Sequence, residues 1–257
     1  MRIFALVLCG LILSINCFGQ TAISSDNELV FNQSEGGFSN FISSLQSKNI
    51  KDFKLVRQLF VKAHRDFLKN YKAYSQVNDI FEKGNYDCLS GTYFLVSSLN
   101  QLGFTYKIYE TNYHIFLTVN TSRGEVLLES TDRDNGLVAN QNLIKERISK
   151  YQQSTTSASG QLYLSRFRMF HELLPSQLPG LLYFNRAVEA FNKNELSDCC
   201  LYLEQAWKIY DNPRIEAFTP ILLHSIETSS LDESSKEKLT LLLRNHQQSG
   251  FHSLASR

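Results

Sequence analysis

From residue 38 to residue 102 the apolar positions recur at helical spacing. Phe38, Phe41 and Leu45 start the pattern. Leu55, Leu59, Phe60, Ala63, Phe67, Leu68 and Tyr71 continue it as an amphipathic helix over 55–71. Residues 74–83 read as a short helix or turn ended by Gly84. Leu89, Tyr93, Leu95, Val96, Leu99 and Leu102 then follow Cys88, with Gly103 as C-cap. They predict a buried helix of about 14 residues. Residues 104–109, 114–119 and 125–130 have strand character, and Thr121-Ser122-Arg123-Gly124 joins the last two as a hairpin. Residues 140–152 predict a short polar helix. The low-complexity run 153–160 is the candidate linker or surface loop.

Past residue 176 the pattern is helical only. Ser176 is a plausible N-cap, and Pro179 falls in the first turn, where a missing N–H does no harm. Helices are expected over 181–191 and 196–210, with Asn212-Pro213 stopping the second, and a further pair over 215–226 and 234–245. The pattern as a whole predicts an α+β core over 21–160 and an all-helical region over 161–257.

Composition narrows the partners. The chain of 257 residues is 43% apolar, and its 18 Phe and 12 Tyr supply large side chains for a packed core. The formal net charge is +1, with no Lys/Arg cluster or stripe, which excludes a nucleic-acid partner that binds through phosphate. Residues 1–20 read as a signal peptide. Arg2 precedes an apolar run over 3–15, too short to cross a bilayer core of ~30 Å, and small residues precede a cleavage point after Gly19. No second hydrophobic segment has membrane length. The mature protein is therefore expected to be soluble and exported, periplasmic or secreted. Asn16 is a poor neighbour for a lipidated Cys17, so no lipid anchor is expected.

Cys88, Cys199 and Cys200 remain after signal removal, an odd number and not a disulfide scaffold. A bond between adjacent Cys199 and Cys200 in a helix is strained, and both read as small packing residues. No CxxC or HExxH motif occurs. His171, His224, His246 and His252 lack ligand spacing, so neither metal nor cofactor is expected. His64 reads as solvated, on the polar side of its helix.

The remaining chemistry gathers on three residues. A thiol needs a neighbouring base to be a good nucleophile near neutral pH, and a helix start and an imidazole are common ways to supply one. Cys88 lies at a loop-to-helix transition, and His114 where a strand begins. With the hairpin turn centred between Ser122 and Arg123, cross-strand partners sum to 245. His114 then faces Thr131, and Glu129 shares its face as a diagonal neighbour. Asp132 points to the other face, unless an odd loop or bulge shifts the parity. The expected site is Cys88 as nucleophile, His114 as base and Glu129 as orienting carboxylate. The Cys88 N–H is a candidate oxyanion donor.

These residues carry a resemblance. The strings Gly84-Asn85-Tyr86-Asp87-Cys88-Leu89-Ser90-Gly91-Thr92, Glu110-Thr111-Asn112-Tyr113-His114 and Leu128-Glu129-Ser130-Thr131-Asp132 resemble bacterial transglutaminase-like proteins with tetratricopeptide repeats, within the papain-like cysteine superfamily. The likeness covers about residues 53–140 well, and extends more loosely through the C-terminal helices. It implies a Cys-bearing helix packed on an antiparallel sheet. It also implies thiol chemistry on peptide or amide bonds, by hydrolysis or acyl transfer. Glu129 stands where that family usually has Asp, and Asp132 substitutes if the register differs. Residues 181–210 have the layout of one tetratricopeptide unit, with Ala187, Cys199, Leu203 and Ala206 at small or apolar positions. One or two such units are too few for a free-standing solenoid, so these helices are expected to dock on the core. Two readings stay open: an exported thiol enzyme acting on a peptide or protein, and a catalytically silent relative that binds a protein partner through its helices.

Overall fold

The helical segments before Cys88 form a pad of aromatic side chains. In a computed structural model, which describes residues 36–46, 52–112, 114–153 and 169–255 (the last seven by backbone alone), helix α1 spans Gly36–Gln46 and α2 spans Asp52–Asp66. The expected signal segment, Cys17 and nearly all of the linker candidate lie outside the described residues. α2 ends before the apolar pattern does. The N–H groups of Lys69 and Asn70 turn away to the carbonyl of Gly84, and strand β1 (Asn70–Tyr71) pairs in parallel with β2 (Asn85–Tyr86) around helix α3 (Val77–Lys83). A non-local backbone pairing thus overrides a helical periodicity.

Helix α4, Cys88–Gln101, is the centre of the core. Leu89, Phe94, Leu95, Val96 and Leu99 are buried along it. The Phe94 ring lies 5.1–5.9 Å from the rings of Phe38, Phe41, Phe67 and Phe81, a separation at which aromatic pairs attract.

α4 packs on an antiparallel sheet of order β6-β5-β4-β3-β7. These are Tyr106–Thr111 (β3), Ile115–Thr121 (β4), Gly124–Leu128 (β5), Leu137–Val138 (β6) and, after helix α5 (Gln141–Gln153), Phe170–Leu173 (β7). Leu117 pairs with Leu128 and Thr121 with Gly124, the register that the four-residue turn predicts. The two faces divide by parity. Ile115, Leu117, Val119, Val126 and Leu128 join the α4 core, while Phe116, Leu127 and Val138 pack with Ile144 of α5. β7 lies beyond residue 160, so the sheet draws its edge strand from the region expected to be all-helical.

Helices α6 (Leu178–Asn192), α7 (Leu196–Ile209), α8 (Pro213–Thr228) and α9 (Glu233–Ala255) complete the chain. Ala187, Ala190, Cys199, Cys200 and Ala206 are buried where α6 meets α7, and small residues let the two helices approach closely. Burial pushes both thiols upward, that of Cys200 to about 12. At its start α6 buries Leu178, Leu181 and Leu182 in the core cluster of the sheet. The helices therefore dock on the core. Among the described residues no helix is long and apolar enough to cross a membrane.

Candidate active site

Cys88 is the first residue of α4. Asp87 caps that helix, its Oδ1 accepting from the N–H and hydroxyl of Ser90 at 2.7 and 2.9 Å. The Cys88 N–H has no partner within the helix, because the first turn's donors point outward. Cys88 as a residue is partly exposed.

The far side of the site is the end of the hairpin, where β4 begins and β5 stops. Gly91, one turn into α4, allows α4 to reach it. A Cβ there would sit 2.9 Å from both the Ser130 hydroxyl and the Tyr86 ring. The Ser130 hydroxyl donates to the Cys88 carbonyl at 3.2 Å, tying the residue after Glu129 to the backbone of Cys88. Gly136 plays a similar part in the 129–136 turn, where a side chain would run into the carbonyls of Glu129 and Asp132.

His114 and Glu129 meet directly, Nε2 of the ring against Oε2 of the carboxylate. Strand alternation gives them one face, as the sum of 245 predicts. Glu129 is only 4% exposed. Its other oxygen accepts from the N–H and hydroxyl of Thr131 at 3.1 and 2.7 Å, and the Tyr151 hydroxyl of α5 donates to Oε2 at 3.2 Å. Burial alone would push the Glu129 carboxyl up, but the His114 hydrogen bond and charge and the Thr131 donors hold it below the usual carboxylate range. The mirror case is His114. Burial alone would lower it, yet hydrogen bonds to Cys88 and Glu129 raise it to about 10. The His114 ring leans on Tyr151, centroids 5.4 Å apart, and Phe116 supports Tyr151 at 4.7 Å.

Cys88, His114 and Glu129 are thus brought together from three separate elements. Asp132 is not. It faces Arg147, 3.6 Å away, and accepts from the N–H of Asn135 at 2.9 Å. A cleft of about 440 Å³ opens beside the pair, lined by His114, Glu129, Thr131, Asp132, Arg147, Lys150 and Tyr151. Among the described residues no cluster of three or more His, Cys, Asp or Glu side chains is placed to hold a metal ion.

Tyr151, Thr131 and Ser130 are site residues that sequence reasoning missed. For Tyr151 a signal exists: Ile144, Ile148 and Tyr151 form a stripe along an otherwise polar helix, and all three pack against the sheet. His64 is a correction. It is 2% exposed, not solvated, and its ring nitrogens meet the carbonyls of Phe60 and Ser130 at 2.9 and 2.8 Å. It lies four residues after Phe60, so the helical spacing itself places it on the buried face.

Comparison of the chain with protein-family models, with curated proteins and with solved structures gives no match. The chemistry rests on the geometry alone. A thiol beside an imidazole, itself held by a buried carboxylate, can pass its proton to the ring and attack an electrophilic carbonyl.

Proposed function

We propose that this chain is an exported, transglutaminase-like protein of the papain-like cysteine superfamily that cleaves or transfers acyl groups of peptide or amide substrates through Cys88, His114 and Glu129. The observation that carries the reading is the position of the His114 ring, bonded to the buried Glu129 and close enough to Cys88 for the thiol to act on its titration. The Cys88 sulfur attacks the substrate carbonyl carbon while its proton resides on His114. The C–N bond then breaks, and His114 gives that proton to the leaving amine. A thioester on Cys88 remains. Water or a second amine, deprotonated by His114, attacks it and restores the thiol. Water yields hydrolysis and an amine yields acyl transfer. The N–H of Cys88 is the natural donor to the oxyanion. Glu129 keeps the ring in the tautomer and orientation that this requires. The α6–α7 pair, with its small buried residues, is compatible with a tetratricopeptide-type unit that contacts a protein substrate or partner.

A second reading keeps the same architecture without turnover, as a protein-binding module. One observation favours it: the residues lining the 440 Å³ cleft do not include Cys88. Iodoacetamide decides between the two. In the enzyme, Cys88 is alkylated nearly as fast at pH 6 as at pH 9, and His114→Ala removes the reaction at pH 6 while sparing it at pH 9, where an ordinary thiol near ~8.5 ionises by itself. A Cys88 that resists alkylation at both pH values rejects the enzymatic reading.

A further inference from the structure

The helical region reaches both halves of the reacting pair. From α6, Asn185 donates to Oδ2 of Asp87 at 3.1 Å. Asp87 is 3% exposed and is the cap on which the first turn of α4 hangs, one residue before Cys88. From the start of α8, Arg214 donates to the Thr111 carbonyl and pairs with Glu110 at 3.1 Å. Thr111 in turn holds the backbone of His114 at both ends. Its N–H and hydroxyl donate to the His114 carbonyl at 2.8 and 3.1 Å, and its hydroxyl oxygen accepts from the His114 N–H at 3.0 Å.

Docking alone does not call for these two arms. The apolar start of α6 already joins the core through Leu178, Leu181 and Leu182. A polar side chain buried at an interface loses hydration and contributes little net stability there, so its return is geometric. Arg214 keeps only 14% of its side chain exposed. The two arms also land on different elements, the cap of α4 and the last residues of β3, Glu110 and Thr111. Any shift of α6 and α8 against the core therefore changes the separation of sulfur and ring.

We infer that the helical region is a clamp on the site, with Asn185 and Arg214 as positioning residues that fix Cys88 against His114. The inference rests on the proposed reading of those two residues as a reacting pair. Neither arm touches the reacting atoms. A partner that bends the α6–α8 layer reaches the chemistry through them.

The test uses the full chain and iodoacetamide at pH 6 and pH 9, with urea unfolding run in parallel. Asn185→Leu and Arg214→Lys are the variants; the lysine keeps a positive charge opposite Glu110 and shortens the reach to Thr111. In each, alkylation of Cys88 at pH 6 falls about tenfold to a hundredfold, the cost of a small misplacement. The rate at pH 9 stays nearly unchanged and the chain remains folded. A purely structural role would move the unfolding midpoint and leave the ratio of the two rates alone. Folded variants with the wild-type ratio overturn the clamp. His114→Ala separates the two claims: if it shifts the ratio and the arms do not, only the clamp fails, whereas if it too leaves the ratio unchanged, the reacting pair fails with it.

Discussion

Glu110 and Glu129 are two buried carboxylates with similar first neighbours. Each is buried near a strand end, 1% and 4% exposed, and each has a histidine within reach. Their surroundings differ in one respect. Glu110 faces Arg214 at 3.1 Å, Asn212 at 2.9 and 3.0 Å, the Tyr210 hydroxyl at 3.3 Å and His171 at 3.2 Å, where the helices meet the sheet. Glu129 faces hydroxyls, one backbone N–H and His114. An arginine stays charged at any accessible pH, so Glu110 always faces a cation, whatever the state of His171. At Glu129 the charge balance depends on one proton, on a ring that lies beside Cys88 and lines a cleft. A buried histidine–carboxylate pair is therefore no sign of chemistry by itself. The permanent cation marks the pair that ties the helices to the sheet, and the mobile proton marks the pair proposed to react.

The largest effects come from neutralising each glutamate in turn. Glu129→Gln keeps the side chain's size but offers the ring an ambiguous partner. Acylation of Cys88 by p-nitrophenyl acetate, followed by mass spectrometry, slows by a factor on the order of 10² to 10⁴. Glu110→Gln leaves Arg214 buried against an uncharged group, and costs about 3–5 kcal/mol of unfolding free energy in urea. The contrast fails if the two variants exchange phenotypes, Glu129→Gln losing mainly stability and Glu110→Gln mainly rate.

A smaller effect sharpens the same contrast through pH. His114 is raised from its ordinary 6.5 to about 10 in the folded protein. A raised base stabilises the fold fully below its unfolded value, and that stability drains away as pH climbs through the folded one. Glu129 and Glu110 are both lowered from 4.5, so their contributions hold above that value and vanish on acidification. The acid limb of stability thus belongs to both pairs, and the alkaline limb tests His114. The difference in unfolding free energy between wild type and His114→Ala should shrink steadily from pH 7 to pH 10. A gap that is flat across that range denies the ring its proton.

Local sequence made the His114–Glu129 pair legible and hid the cluster around Glu110. The hairpin could be registered because the turn at 121–124 and the two-residue period on each side allow one alignment, and that alignment puts His114 and Glu129 on one face. Cys88 could be placed because Gly84 ends the preceding element and an apolar stripe closed by Gly103 follows the cysteine. Glu110 offers no such cue. Its partners arrive from residues 171, 210, 212 and 214, and Asn212, read as a stop signal, both caps α8 through Arg214 N–H and reaches back to the carboxylate. β7 was hidden for the same reason. Phe170-His171-Glu172-Leu173 shows no clean alternation, and only pairing with β3 makes it a strand. With His64 the spacing was informative, and its polar residue type argued wrongly against it.

Asp132 provides the smallest predicted effect and the most direct check on register. It is the nearest rival carboxylate, three residues from Glu129, and a one-residue slip of β5 would exchange the faces of both. As the chain folds, its oxygens serve the N–H of Asn135 and the guanidinium of Arg147, an ion pair 3.6 Å long with 36% of the Asp132 side chain exposed. An exposed pair of that length contributes about 0–1 kcal/mol. Asp132→Asn also preserves the acceptor for Asn135. Its acylation rate with p-nitrophenyl acetate should therefore stay within about threefold of wild type, because less than a kilocalorie is at stake. A loss as deep as that of Glu129→Gln would mean that Asp132 orients the ring in solution. The hairpin would then be paired one residue out of step with the Leu117–Leu128 register, and the division between the two buried glutamates would have to be redrawn around a different carboxylate.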